Sequence, residues 1–138
     1  MSGETDLAKM LASMSPQLVN GEFVFCSFPG ASYGDHAELA PVAATSEAEG
    51  LTLVIPRTVA DAQGVGYDSV FRQITLQIHS SLDAVGLTAA FATKLTEQGI
   101  SANVVAGFYH DHIFVQRDSA EQAVRALEDL ARDSASSQ

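Results

Sequence analysis

From Phe71 onward the chain alternates between two hydrophobic periods, and the order of those periods restricts the folds open to it. Phe71 to Ile78 reads as a strand, because Ile74, Leu76 and Ile78 repeat every second residue and share one face. From Asp83 to Gln98 the period changes to that of a helix, with Leu87, Phe91 and Leu95 as the buried stripe and Gly99 placed to end it. Ile100 to Gly107 returns to a strand. Tyr109-His110-Asp111 makes a tight turn or bulge, and Ile113-Phe114-Val115 forms the next strand. Asp118 or Ser119 caps a last helix whose stripe is Ala120, Ala123, Val124, Leu127, Leu130 and Ala131. The tail 134–138 is polar and expected to be disordered.

Strand, helix, strand, strand, helix is the ferredoxin-like, split βαβ plan without its last strand. The helix supplies the crossover a parallel pair needs, and the short second connection makes a hairpin. The fold class expected is therefore α+β, an antiparallel sheet with helices packed on it. The missing strand can come from the first half of the chain.

That first half is less regular. Leu7, Met10, Leu11 and Met14 predict a helix over Asp6 to Met14, capped by Thr5 or Asp6 and stopped by Pro16. Glu22 to Phe28 reads as a strand and Pro29 to Asp35 as a loop. A weaker strand is expected over Leu39 to Ala44, then a turn at Glu47-Ala48-Glu49-Gly50, a strand over Leu51 to Ile55 and a short helix over Pro56 to Gln63. Thr52-Leu53-Val54-Ile55 echoes Thr75-Leu76-Gln77-Ile78, a faint sign of a two-part design. The organisation read is a degenerate first half over 1–66 and a second half over 67–133.

Charge narrows the partners. Seventeen acidic residues stand against 7 basic ones, for a net charge of −10. Phosphate backbones are bound by Lys and Arg that displace counterions, so neither nucleic acid nor an anionic membrane is an expected partner. No apolar run nears the ~20 residues that span a bilayer. The N-terminus is acidic and polar rather than signal-like. Cys26 is the only cysteine, so no intramolecular disulfide can form, and a cytoplasmic location is expected.

The stretches Ile74-Thr75-Leu76-Gln77-Ile78-His79-Ser80-Ser81-Leu82-Asp83-Ala84-Val85-Gly86 and Gly99-Ile100-Ser101-Ala102-Asn103-Val104-Val105-Ala106-Gly107-Phe108-Tyr109-His110-Asp111-His112 are long and specific. With Glu47-Ala48-Glu49-Gly50-Leu51-Thr52-Leu53 they resemble a family of small bacterial proteins built from tandem ACT-like domains. The chain is also similar to the ACT pairs of the animal arginine sensor. The resemblance implies a regulatory module that binds an amino acid or similar small molecule and acts on a separate protein or through assembly. It implies a homodimer, while the lack of catalytic motifs sets the expectation of no catalysis and no cofactor. It places ligand contacts at Ser80, Ser81, Leu82, Asp83, Ala84, Val85 and Gly86, in the loop after the strand, and at Asp111.

The chemistry of these residues suits the task. A helix N-terminus offers unpaired N–H groups to a ligand carboxylate. Gly86 permits close approach, and an ionised Asp111 accepts an ammonium or guanidinium. Asn103 is a further polar candidate. The same residues also fit a purely structural module, in which Ser80, Ser81 and Asp83 cap the helix, Gly86 packs it, and the free sheet face makes a dimer. A weaker alternative is a metallohydrolase that uses His79, His110 and His112, with His110 and His112 on one strand face. No Cys, Glu or second His pair supports that trio, and its spacing is not a known metal signature. No Gly-x-Ser-x-Gly elbow accompanies Ser80 or Ser81, and Gly64-Val65-Gly66 is too short for a phosphate loop.

Overall fold

The computed structural model describes residues 6–78 and 85–136. Two compact units emerge, one made of Met1–Val19 with Gln73–Gln138, the other of Asn20–Arg72. The first is called the outer-segment unit below and the second the central unit.

In the outer-segment unit, helix α1 (Leu7–Ser13) begins at Asp6, whose carboxylate accepts the Lys9 backbone N–H at 3.1 Å. It leads into strand β1 (Ser15–Leu18), where sequence pattern predicts only a helix stop. Pro16 obscures this strand, since proline donates no ladder hydrogen bond. It is tolerated because β1 pairs with one neighbour, strand β5 (Phe71–Gln77), with Pro16 opposite Leu76. Helix α3 (Leu87–Glu97), strands β6 (Asn103–Ala106) and β7 (Asp111–Gln116), and helix α4 (Ala120–Ser136) complete the unit. Strand order is β1-β5-β7-β6. The N-terminal segment thus supplies the fourth strand of the βαββα pattern, antiparallel to the first, as a complete ferredoxin-like sheet requires.

One core holds this unit together. Ile74 and Leu76 of β5 and Ile113 and Val115 of β7 pack with Leu87, Phe91 and Leu95 of α3, Ala123 and Leu127 of α4, and Met10 and Leu11 of α1. All are buried, and each large side chain contributes on the order of 1.5–3 kcal/mol. Helix α3 starts at Leu87, later than the expected Asp83. Val85 and Gly86 are a bend, and Gly86, at φ 93°, is the N-cap with no side-chain capping bond. The expected cap by Ser80, Ser81 and Asp83 lies outside the described residues, as do Leu82 and Ala84. The other end matches expectation. Gly99, at φ 72°, closes the helix by donating to Thr96, while Ile100 donates to Leu95. Before α4, Asp118 and Ser119 form a 3-10 turn rather than a cap, and α4 runs on to Ser136 through the start of the predicted tail.

In the central unit, strand β2 (Phe23–Pro29) pairs with β4 (Gly50–Pro56), and β4 with β3 (Ala43–Glu47), all antiparallel. The weak strand expected over Leu39 to Ala44 is displaced. Ala37–Leu39 form a 3-10 turn, Ala40 turns left-handed, and the strand begins only after Pro41. Helix α2 (Arg57–Gln63) follows β4. Arg57 ties its start to β2, since its guanidinium donates to Glu22 at 2.8 Å and to the Tyr67 hydroxyl at 3.1 Å. Val24, Cys26, Leu39, Leu51, Leu53, Ile55 and Ala60 make the core. Cys26 is buried there, and burial pushes its thiol pKa up. The echo between Thr52–Ile55 and Thr75–Ile78 joins unlike positions, because β4 is the third strand of its unit and β5 the first of the other plan.

Candidate functional site

The β6–β7 hairpin carries most of the describable polar candidates. Its turn spans residues 107–110 and is closed by the Gly107 N–H donating to the His110 carbonyl at 2.9 Å. The turn tip exposes Phe108 (73%) and Tyr109 (78%), whose rings meet edge to face at 5.1 Å. His110 belongs to this exposed turn and not to the strand, so the one-face argument for His110 and His112 does not apply.

Asp111 opens β7 opposite Ala106, on the face that carries Ile113 and Val115 toward the core. It is half-buried, and desolvation raises its pKa above the ordinary carboxylate value against the opposing pull of His112. Among the described residues its carboxylate makes no side-chain hydrogen bond or ion pair, which is costly for a partly desolvated anion. His112 points the other way. Its Nδ1 lies 3.0 Å from Thr75 Oγ1 and 3.3 Å from Gln73 Nε2, and Gln73 also donates to Thr75 at 3.2 Å. An amide nitrogen only donates, so this network uses Nδ1 as an acceptor and leaves the ring neutral with its proton on Nε2. Burial, then the neighbouring His110, lowers the His112 pKa.

Asn103 does not join Asp111. It stands opposite Phe114 and donates to that residue's carbonyl at 3.2 Å. It is thus three residues along β7 from Asp111, about 10 Å at the usual rise, and on the other face. Gly86 lies against α1, where an added Cβ would stand 3.3 Å from the Leu7 side chain, and Val85 beside it is 85% exposed. Ser80, Ser81, Leu82, Asp83, Ala84 and His79 fall outside the described residues. Among the described residues, no group of three or more His, Cys, Asp or Glu is placed to hold a metal ion, and no helix is long and apolar enough to cross a membrane. Sequence reading missed the Gln73–Thr75–His112 network. The signal was present in the polar residues that alternate with Ile74 and Leu76.

A βαββα unit whose fourth strand comes from the N-terminal segment has the plan of ACT-type α+β modules. Family models described as ACT domain match residues 2–72 and, separately, 68–129. The chain belongs to the ACT-domain family. A Vibrio cholerae protein of unknown function, described as a possible transport protein, shares 53% identity and a TM-score of 0.83, over 91% of this chain and 95% of that one. Aspartate kinase of Clostridium acetobutylicum shares the fold at 12% identity and TM-score 0.61, over 85% of this chain and 34% of the enzyme. The ligand-free regulatory subunit of aspartate kinase from Thermus thermophilus does so at 8% and 0.56, over 85% and 95%. No curated protein matched the chain.

Proposed function

We propose that the chain is a non-catalytic regulatory module that binds a small molecule, an amino acid, and acts on a separate protein or through assembly. ACT-family membership and the likeness to aspartate kinase regulatory subunits support the class. The observation that carries the ligand reading is Asp111, half-buried and without a side-chain partner among the described residues. A ligand ammonium or guanidinium would return to it the interaction that desolvation removes. The proposed seat joins Asp111 to the loop Ser80 to Gly86, whose peptide N–H groups would face the ligand carboxylate. Asn103 contributes from the other face by holding the hairpin together.

A thermal-shift screen over the twenty amino acids near millimolar tests this reading. One ligand is expected to raise the melting temperature, since at a hundred times Kd binding to the native state adds about 2.7 kcal/mol. Asp111→Ala is expected to abolish the shift. A shift that survives that change sinks the site.

A second reading, a dimerisation module without ligand, draws on the hairpin. Val104 is 37% exposed on β6, a strand that ends its sheet, and Phe108 and Tyr109 project beside it. A flat amino-acid screen, together with a dimeric mass by light scattering that Phe108→Ser reduces to a monomer, would favour it.

A further inference from the structure

The central unit repeats the strand–helix–strand–strand–helix plan with one element nearly deleted. Between β2 and β3 the place of the first helix is taken by the 3-10 turn Ala37–Leu39. Three residues of 3-10 helix rise about 6 Å. The equivalent helix in the outer-segment unit, α3, has 11 residues and so rises about 16 Å. Roughly 10 Å of the helix-bearing sheet face is thereby left without a helix above it. A groove of about 390 Å³ lies there. Leu51 and Leu53 of β4 lie beneath it but are themselves buried with Leu39, so its accessible lining is Ala44 of β3, the partner of Leu53 in the register, with Tyr33, Asp35 and Val42.

We infer that this groove is a binding site for a small organic cation, an amine attached to an apolar body. The volume falls in the range of small-molecule pockets. The accessible lining offers apolar surface from Tyr33, Val42 and Ala44. No Lys or Arg lines the groove, in a chain of net charge −10, so an anion finds no partner there. Asp35 is the charged group of the lining. Its Oδ2 accepts the Ser32 N–H at 2.9 Å, which fixes the carboxylate and leaves Oδ1 to receive an ammonium. Tyr33 stands 80% exposed at the rim, where its ring face can attract the same cation.

The loop is also held in a form that folding alone does not favour. His36 and Ala40 bracket the 3-10 turn at φ 62° and 57°, left-handed values uncommon for residues with a Cβ. Such strain gathers at ligand clamps. His36 is kept in place by stacking on Phe28, with centroids 4.2 Å apart.

This site is independent of the one proposed at Asp111, and the test separates them. The full chain is titrated with 2-phenylethylamine by calorimetry, in parallel with 2-phenylethanol and phenylacetate. The amine is expected to bind at least tenfold more tightly than either. Asp35→Asn, which keeps an acceptor for Ser32, is expected to weaken the amine at least tenfold. Ala44→Phe, which fills the groove from a strand position that accepts aromatic residues, is expected to abolish binding. Should Ala44→Phe fail to fold, Val42→Lys at the rim replaces it, with the same loss expected. Asp68→Asn, which removes a carboxylate of the same unit outside the groove lining, is expected to leave amine binding unchanged. Equal affinity for 2-phenylethanol would overturn the inference, as would amine binding that Asp35→Asn leaves intact. A dimer that excludes the amine and becomes monomeric in Ala44→Phe would give the groove to a second copy instead.

Discussion

Asp111 and His112 are neighbours in the chain, yet the pleat sends them to opposite faces and gives them opposite pH behaviour. Asp111 ionises less readily in the folded protein than in the unfolded chain. As pH rises through the ordinary carboxylate value of about 3.9, the unfolded chain releases its proton first and the native state loses stability. Asp111→Asn is therefore expected to raise the melting temperature at pH 7 and to leave it nearly unchanged at pH 3. A ligand cation seated at Asp111 should cancel that advantage. For His112 the sign reverses. Its folded pKa is lowered, so stability is complete at neutral pH and falls as pH drops below about 6.5, where the unfolded imidazole takes up a proton first. Urea melts of His112→Gln should lack the part of the wild-type decline between pH 7 and 5 that this ring causes. An identical decline in both proteins would mean that the Thr75–Gln73 network does not hold the ring neutral.

Among the elements, those with a long uninterrupted period were legible from sequence. Leu87, Phe91 and Leu95 occupy the buried stripe of α3 as their spacing predicts, because four-residue steps return a side chain to the same helix face. Phe91 is fully buried, so Phe91→Ala is expected to cost about 3–5 kcal/mol in a denaturant melt, through lost transfer energy and the cavity left behind. The start of α3 was less legible. Ser80 to Asp83 resembles a cap in sequence, whereas the described helix opens at Gly86, three residues past Asp83. Strand β1 was not legible at all. Four residues containing a proline carry too little pattern to outweigh that proline, and only their pairing along β5, from Ser15 with Gln77 to Leu18 with Ile74, makes them a strand. The 3-10 turn at Ala37–Leu39 was hidden for a related reason. Ala-Glu-Leu-Ala has no distinctive period, and alanine at Ala40 gives no signal for the left-handed conformation it adopts, φ 57°.

At the scale of the molecule, the outer-segment unit depends on residues that lie farthest apart in the chain. Met10 and Leu11 are buried in the same core as Ile113 and Leu127, and β1 pairs along β5. A chain lacking residues 1–18 is expected to lose the cooperative urea transition of this unit, because β5 loses its antiparallel partner and the core loses Met10, Leu11 and Met14. Retention of that transition would show that β1 is dispensable. By itself the sequence determined the α+β class, the order of elements from Phe71 onward, the buried stripe of α3, that of α4 apart from the buried Ala126, and the acidic character that disfavours phosphate-bearing partners. Each of these follows from local periodicity or from composition, which a linear reading contains in full. Only the tertiary structure decided that the fourth strand comes from the N-terminus, that Asn103 and Asp111 stand on opposite faces, and that a groove opens where the central unit lacks a helix. These depend on register and on what each surface packs against, and both are set by contacts between residues far apart in the chain.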